Sequence, residues 1–381
     1  MGRIDWSILK EHYEKDGEFH FGNMMITMIN EGHIDESNFS LKALWEAMGK
    51  PNLARQMELG KLIGENEFKE QLDSSMFPKI TGALINKTVM KAYDLAYGIG
   101  MNLVTVLDSS QKDDTLVGFT AADGLVEIIE GMEYEEGAFN EKYHKVRNRK
   151  FGKTIYLTEE MVKFDQTGQF INRARNIGEN AKYKQEEIIM NAVLETATTG
   201  AYASWRPEGT STTLYSSTSN DPFTSGTIDN SITDVLTDET DINAAITQFA
   251  TFTDEEGQYL NIMPNILLTA LALEATGKKI VNSTGSTVAT YSSGVINPYK
   301  NAFTHYSTPF VDNKKGATYW LLGNFKKEFV YTQVFPLQMF MLKPGNTEEW
   351  KRDVVFGFKV RFMGGCGAIT NRYVVISTGG G

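Results

Sequence analysis

Apolar positions mark the helices of this chain first. Leu41, Leu44, Trp45 and Met48 fall at helical spacing behind Ser40, a natural cap, and Gly49 and Pro51 close the segment. A second helical pattern runs from Leu53 to Leu72. Helices this short are marginal alone, so they either cover the main body or dock on a partner. The longest pattern runs from Gln169 to Glu195, with Phe170, Ala174, Ile177, Ala181, Ile188 and Ala192 recurring every three or four residues. It predicts a helix of about 40 Å. Its other faces carry Arg173, Arg175, Lys182 and Lys184 among Glu179, Glu186 and Glu187.

Strand-like patterns alternate with these helices. Residues 76–115 read as an N-terminal strand region ending in Leu103-Val104-Thr105-Val106-Leu107. Leu116–Glu130 and Ala138–Phe151 are two extended runs around the turn-rich Gly131–Gly137, which reads as a long hairpin. Its return arm, from Asn140 to Lys150, looks polar on both faces. A strand on its own core alternates apolar and polar. Most of this arm is therefore expected outside the core, and a lone ribbon needs a surface to lie on, most simply a neighbouring chain. Gly152 is expected to end the ribbon, and Ile155 and Leu157 to return to the core. Thr158 is expected to cap a helix begun by Glu159 and Glu160.

Thr196–Thr240 is dense in Ser, Thr, Gly and Asn and reads as loops and edge strands. Beyond it, Asp241–Phe252 and Ala270–Asn282 read as helices. Tyr319–Leu322, Phe329–Thr332 and Met339–Leu342 read as short strands, and Asp353–Met363 and Arg372–Ile376 as strands near the end.

Composition narrows the function. The chain has 381 residues and a net charge of −11, with 37 Lys and Arg against 48 Asp and Glu. An acidic balance speaks against gripping nucleic acid by bulk charge. One cysteine, Cys366, allows neither an intrachain disulfide nor a cysteine zinc site. The first residues lack the pattern of a signal peptide, and the apolar stretch Ile266–Ala275 is too short to span a bilayer, so no membrane partner is expected.

Candidate chemistry is sparse. Glu127, Glu130, Glu133, Glu135 and Glu136 sit at a turn, with nothing to fix two carboxylates at a working separation. Asp254-Glu255-Glu256 lacks the alternation of a calcium loop. His12, His20 and His33 lack metal-ligand spacing. Ala275-Thr276-Gly277-Lys278-Lys279 lacks the first glycine and the final Ser or Thr of a phosphate loop. Gly364-Gly365-Cys366-Gly367 reads as a tight turn with Cys366 as a small buried hydrophobe. We expect no catalytic residue, cofactor or metal.

Element order and local motifs now matter together. A helical extension precedes Met76-Phe77-Pro78, and the hairpin holds Val117-Gly118-Phe119 and Glu130-Gly131-Met132-Glu133-Tyr134. Phe151-Gly152-Lys153-Thr154-Ile155-Tyr156-Leu157-Thr158-Glu159 leads through Asp165-Gln166-Thr167-Gly168 into the long helix. Phe356-Gly357-Phe358-Lys359-Val360-Arg361-Phe362 and Gly365-Cys366-Gly367-Ala368-Ile369 stand near the end. This series resembles the major capsid proteins of tailed bacteriophages, which share the α+β Hong Kong 97-type fold. The likeness covers residues 76–200 and 350–377 well and the middle only by pattern.

The resemblance implies a layout. Residues 1–75 would be a helical N-terminal arm or scaffold-like extension, and 116–158 an extension loop reaching over an adjacent subunit. Residues 159–200 would be a peripheral domain with its spine helix, 201–345 an axial domain, and 346–381 the returning peripheral strands. It implies a non-enzymatic shell protein of the virion, assembled in the host bacterial cytoplasm into hexamers and pentamers around double-stranded DNA. That DNA would be held weakly and without sequence preference. Portal, scaffold, protease or decoration proteins would be its other partners. Glu141, Lys142, Lys145, Arg147, Arg149 and Lys150 are the expected intersubunit contacts, suited to salt bridges. None of the ribbon lysines matches the cross-linking position known in one relative, so no cross-link is expected. An encapsulin-like nanocompartment shell, an enzyme with a Ser/Thr-rich insertion and a soluble module that adds its ribbon to a partner's sheet are the other readings.

Overall fold

The computed structural model describes residues 6–34, 39–48, 76–119, 141–158, 161, 164, 166–207, 213–218, 228–253, 258–288, 295–342 and 354–380. In chain order the main helices are α1 (Trp6–Glu31), α2 (Leu41–Ala47), α3 (Phe77–Leu95), α4 (Thr167–Val193), α5 (Glu239–Phe249) and α6 (Glu274–Asn282). The strands are β1 (Thr105–Asp108), β2 (Asp113–Phe119), β3 (Glu141–Arg147), β4 (Arg149–Thr158), β5 (Ser231–Ile232), β6 (Ile266–Ala270), β7 (Thr304–Thr308), β8 (Trp320–Gly323), β9 (Phe329–Leu342), β10 (Val354–Ala368) and β11 (Val374–Ser377). They form a four-stranded sheet in the order β1-β9-β10-β4, a five-stranded sheet in the order β5-β11-β8-β6-β7, and the pair β2-β3.

The chain divides into two units. The first comprises Met1–Tyr97, Lys150–Lys184 and Pro336–Phe362. Its core gathers Phe21, Met25 and Ile29 of α1, Leu41 and Leu44 of α2, and Phe77, Ile80, Leu84 and Val89 of α3. Phe170, Ala174 and Ile177 of α4, Ile155 and Leu157 of β4, and Phe358 of β10 complete it. The short N-terminal helices therefore cover the body of this unit. Ser40 Oγ accepts from Ala43 N–H at 3.0 Å, the cap expected from sequence. Leu41 N–H donates to Thr167 Oγ1 at 2.9 Å, and Glu18 Oε1 accepts from Met76 N–H at 2.8 Å. Helix α1 kinks at Gly17, where φ is +81°, a backbone conformation that favours glycine.

Two expectations need correction here. Residues 76–115, read as a strand region, hold the 19-residue helix α3 before the short β1. Its β-branched residues suggested a strand. Its buried positions Phe77, Ile80, Thr81, Leu84, Ile85, Thr88 and Ala92 nevertheless keep a helical period, and packing outweighs propensity. Gly152 lies inside β4 rather than ending a ribbon, and a Cβ there would come 2.8 Å from Val360 O of the neighbouring strand. Thr158 is the last residue of β4, and the helix start expected after it, with Glu159 and Glu160, lies outside the described residues, as do Leu53–Leu72 and Gly131–Gly137.

The second unit comprises Gly98–Arg149, Gln185–Phe335 and Met363–Gly381. Its five-stranded sheet separates two cores, and successive residues alternate between them. Val374 and Ile376 of β11, Leu321 of β8, and Ile266 and Leu268 of β6 face one core, beside Ile189, Met190 and Val193 of α4. Val375, Leu322, Trp320 and Leu267 face the other, beside Ile242 and Phe249 of α5. Strands buried on both faces read as continuous apolar runs, which is why they stood out in the sequence. Asp238 caps α5 in a reciprocal capping box with Asp241.

Two further differences concern the long strands. Phe329–Thr332 and Met339–Leu342 are parts of the single 14-residue β9, which continues through Pro336. Gly364-Gly365-Cys366-Gly367, expected as a turn, is extended chain within the 15-residue β10.

Candidate assembly site at the root of the arm

The hairpin exists, with its strands at β2 and β3. They pair antiparallel from Asp113 opposite Arg147 to Phe119 opposite Glu141. Residues 120–140 between them lie outside the described residues, and with them the five clustered glutamates. Among the described residues, this ribbon is a sheet of two strands only.

The root of the arm is not polar on both faces in effect. Along β3, burial alternates: Tyr143, Lys145 and Arg147 are half-exposed, and His144 and Val146 are buried. Asn148, between β3 and β4, is buried as well. The expectation that the return arm lies mostly outside its own core is therefore wrong for its root. Histidine and asparagine occupy the inward face, so a hydrophobicity pattern does not show the alternation. His144 lies against the Trp205 ring, with centroids 4.7 Å apart. Lys145 N–H donates to Arg206 O at 3.1 Å, and His144 bridges to Pro207, giving β3 one rung on its outer edge.

Asn148 ties the root together. Its backbone N–H donates to Lys112 O at 2.8 Å. Its side-chain amide donates to Gln111 O at 2.9 Å and to Asp114 Oδ2 at 2.6 Å. Its side-chain oxygen accepts from Thr332 Oγ1 of β9 at 2.7 Å. Ser109 Oγ donates to the second oxygen of Asp114 at 2.6 Å. One buried side chain thus joins the outgoing strand, the returning strand and β9. A buried amide gives such fixity only when its donors and acceptor are all used, as they are here.

The glycines of β10 make room for this crossing. A Cβ on Gly365 would stand 2.5 Å from Arg147 O and 3.1 Å from Asn148 Oδ1, and one on Gly367 would stand 2.8 Å from Val146 Cγ2. The glycine run is a contact surface for the root. Cys366 between them is partly buried against the core, and burial pushes its thiol well above the usual range, which leaves it inert.

The expected contact residues separate. Arg147 Nε lies 3.6 Å from Asp113 Oδ1, and the Arg147 and Arg149 guanidinium groups lie 5.6 and 3.7 Å from the Tyr202 ring centre. These two are gathered on one ring of their own chain. Lys145 is half-exposed and Lys150 exposed. Glu141 and Lys142 are placed by backbone register only, opposite Phe119 and Gly118. Sequence reasoning missed Asn148, Asp114 and Thr332. The available signals were a lone Asn inside a Lys/Arg run and glycines inside a strand pattern.

The arrangement holds the strand pair at a fixed root. Among the described residues no group of three His, Cys, Asp or Glu is placed to hold a metal ion, and no helix is long and apolar enough to cross a membrane. The phage capsid protein family matches residues 142–376, which is more than half of the chain. The chain belongs to the phage capsid protein family.

Solved structures similar to this capsid protein include the following three. The capsid of the cyanophage P-SCSP1u is 11% identical, covering 74% of this chain and 88% of that one, with a TM-score of 0.48. Gordonia phage Cozz is 11% identical, covering 74% and 85%, with a TM-score of 0.46. The virus-like particle from Pyrococcus furiosus is 11% identical, covering 77% and 97%, with a TM-score of 0.43. No curated protein matches the chain. As a phage capsid protein, it is a structural component of the virion and associates with copies of itself into a shell.

Proposed function

We propose that this capsid protein is the major subunit of an icosahedral phage head, assembling as hexamers and pentamers around double-stranded DNA in the host cytoplasm. The family match supports the shell. The latched root of the arm supports the way it closes: a pair of strands fixed at Asn148 is the base from which the extension loop meets a neighbouring copy. In this reading the first unit corresponds to the peripheral domain, with α4 as its spine, and residues 201–345 to the axial domain. Glu141, Lys142, Lys145 and Lys150 contact the next subunit, while Arg147 and Arg149 act partly through Tyr202. Portal, scaffold, protease and decoration proteins are its further partners.

A shell built from one chain needs contacts that are individually modest and repeated many times, so that wrong contacts can come apart. Exposed ion pairs of about 1 kcal/mol or less suit that need. The test is expression of the full chain, followed by sizing and negative-stain microscopy. Rings or closed shells are the expected result. A monomer at high concentration overturns the reading.

A further inference from the structure

We propose that the exposed side of α4, with Lys91 of α3 beside it, is the surface this protein turns to duplex DNA. The proposal rests on the shell reading above and names the part of the subunit that meets the genome.

The net charge of −11 hides a local excess of base. Within the first unit, residues 77–97, 150–158, 166–184 and 354–362 contain many Lys and Arg, whereas Asp94 and Glu179 are their only acids. The helix concentrates this excess on one arc. Phe170, Ile171, Ala174 and Ile177 are buried. Arg173, Arg175, Asn176 and Asn180 are exposed on the opposite side, with Lys182 half-exposed at its edge. Helices α3 and α4 approach closely where a Cβ on Gly178 would collide with Val89 O. Beside that crossing a groove of about 480 Å³ is lined by Lys91, Arg175 and Glu179, among others. Lys182 Nζ lies 5.1 Å from the Tyr93 ring centre, which holds its ammonium at the edge of the same arc.

The chemistry of the arc favours phosphate over protein. Interface cores between proteins are depleted in lysine and rich in apolar side chains. Here the arc presents Arg173, Arg175, Lys182, Asn176 and Asn180 against one exposed acid, Glu179, and Tyr183 is its one large exposed ring. Arginine, lysine and asparagine donors are the groups that meet phosphate oxygens in a way that carries no sequence preference.

The test uses full-length protein before assembly and a fluorescent random duplex. Three phosphate contacts lower the affinity about 40-fold between about 50 and about 200 mM salt. The triple variant Arg173→Gln, Arg175→Gln, Lys182→Gln is expected to lose at least about 10-fold in affinity at the lower salt and most of the salt dependence. It should still form shells of normal size. Arg173→Lys with Arg175→Lys should keep the binding, and the exposed pair Lys300→Gln, Lys314→Gln in the second unit should not affect it. Undiminished binding by the triple variant overturns the proposal. So does a triple variant that binds DNA normally but no longer forms shells, which would make the arc a contact between copies. Failure of the wild-type chain to form shells is a separate result and counts against the shell reading itself.

Discussion

Strands β3 and β11 are both buried by the second unit, but by different chemistry. β11 is apolar through Val374, Val375 and Ile376, and each of these faces one of two cores. β3 buries His144 and Val146 and is followed by Asn148, which is held by hydrogen bonds. Apolar burial depends on volume and adapts to small changes. Polar burial depends on every partner being present, because an orphaned group costs about 1–3 kcal/mol. The root of the β2-β3 pair is thus held by the less forgiving kind of packing.

Substitutions at the two strands sharpen this contrast. Asn148→Leu removes the bonds from Asn148 to Thr332, Gln111 and Asp114. It is expected to cost about 3 kcal/mol in urea unfolding and to abolish shells. Gly365→Ala places a methyl against Arg147 O. A loss of about 2 kcal/mol is expected, together with misdirected arms, read as a fall in shell yield. If both variants assemble normally, the root does not set the arm. Ile376→Val in β11 should cost only about 1 kcal/mol and leave shell yield unchanged. The exposed pair of Arg147 with Asp113 should contribute about 0.5 kcal/mol or less in a double-mutant cycle, falling with salt.

A buried carboxyl group sits beside the start of the apolar strand. Glu328 is buried and accepts from Tyr373 N–H at 2.7 Å, just before β11. Burial raises its carboxyl well above the usual value of 4.5, and the N–H groups of Tyr373 and Val374 offset part of that rise. A raised folded-state value means its stabilisation is complete below about pH 4.5 and is lost as pH rises through the folded-state value. Glu328→Gln keeps the acceptor without the charge. It should flatten this loss in pH-dependent unfolding, and an unchanged profile would show that Glu328 is not its source.

Much of the fold was legible where burial is apolar. Ser40 and Leu41, Leu44 and Met48 announced α2, and the repeat through Phe170, Ala174 and Ile177 announced α4 within two residues at each end. Of the five-stranded sheet, β6, β8 and β11 were readable as apolar runs, whereas the short β5 and the polar β7 were not. Reading failed where another rule applied. β-branched residues obscured α3, Pro336 split β9, and glycines chosen for close approach looked like a turn in β10. At the site, the ribbon and its charges were visible, but its latch was not. Asn148 reads as one more polar residue until Asp114, Thr332 and Gly365 are brought to it from positions far apart in the chain.

Electron cryomicroscopy of particles formed by the full-length chain tests this account most directly. Closed shells are expected, with Asn148 seated against Thr332 in every copy and residues 120–140 lying on a neighbouring subunit. Solitary molecules whose residues 120–140 pack back onto their own chain would contradict it.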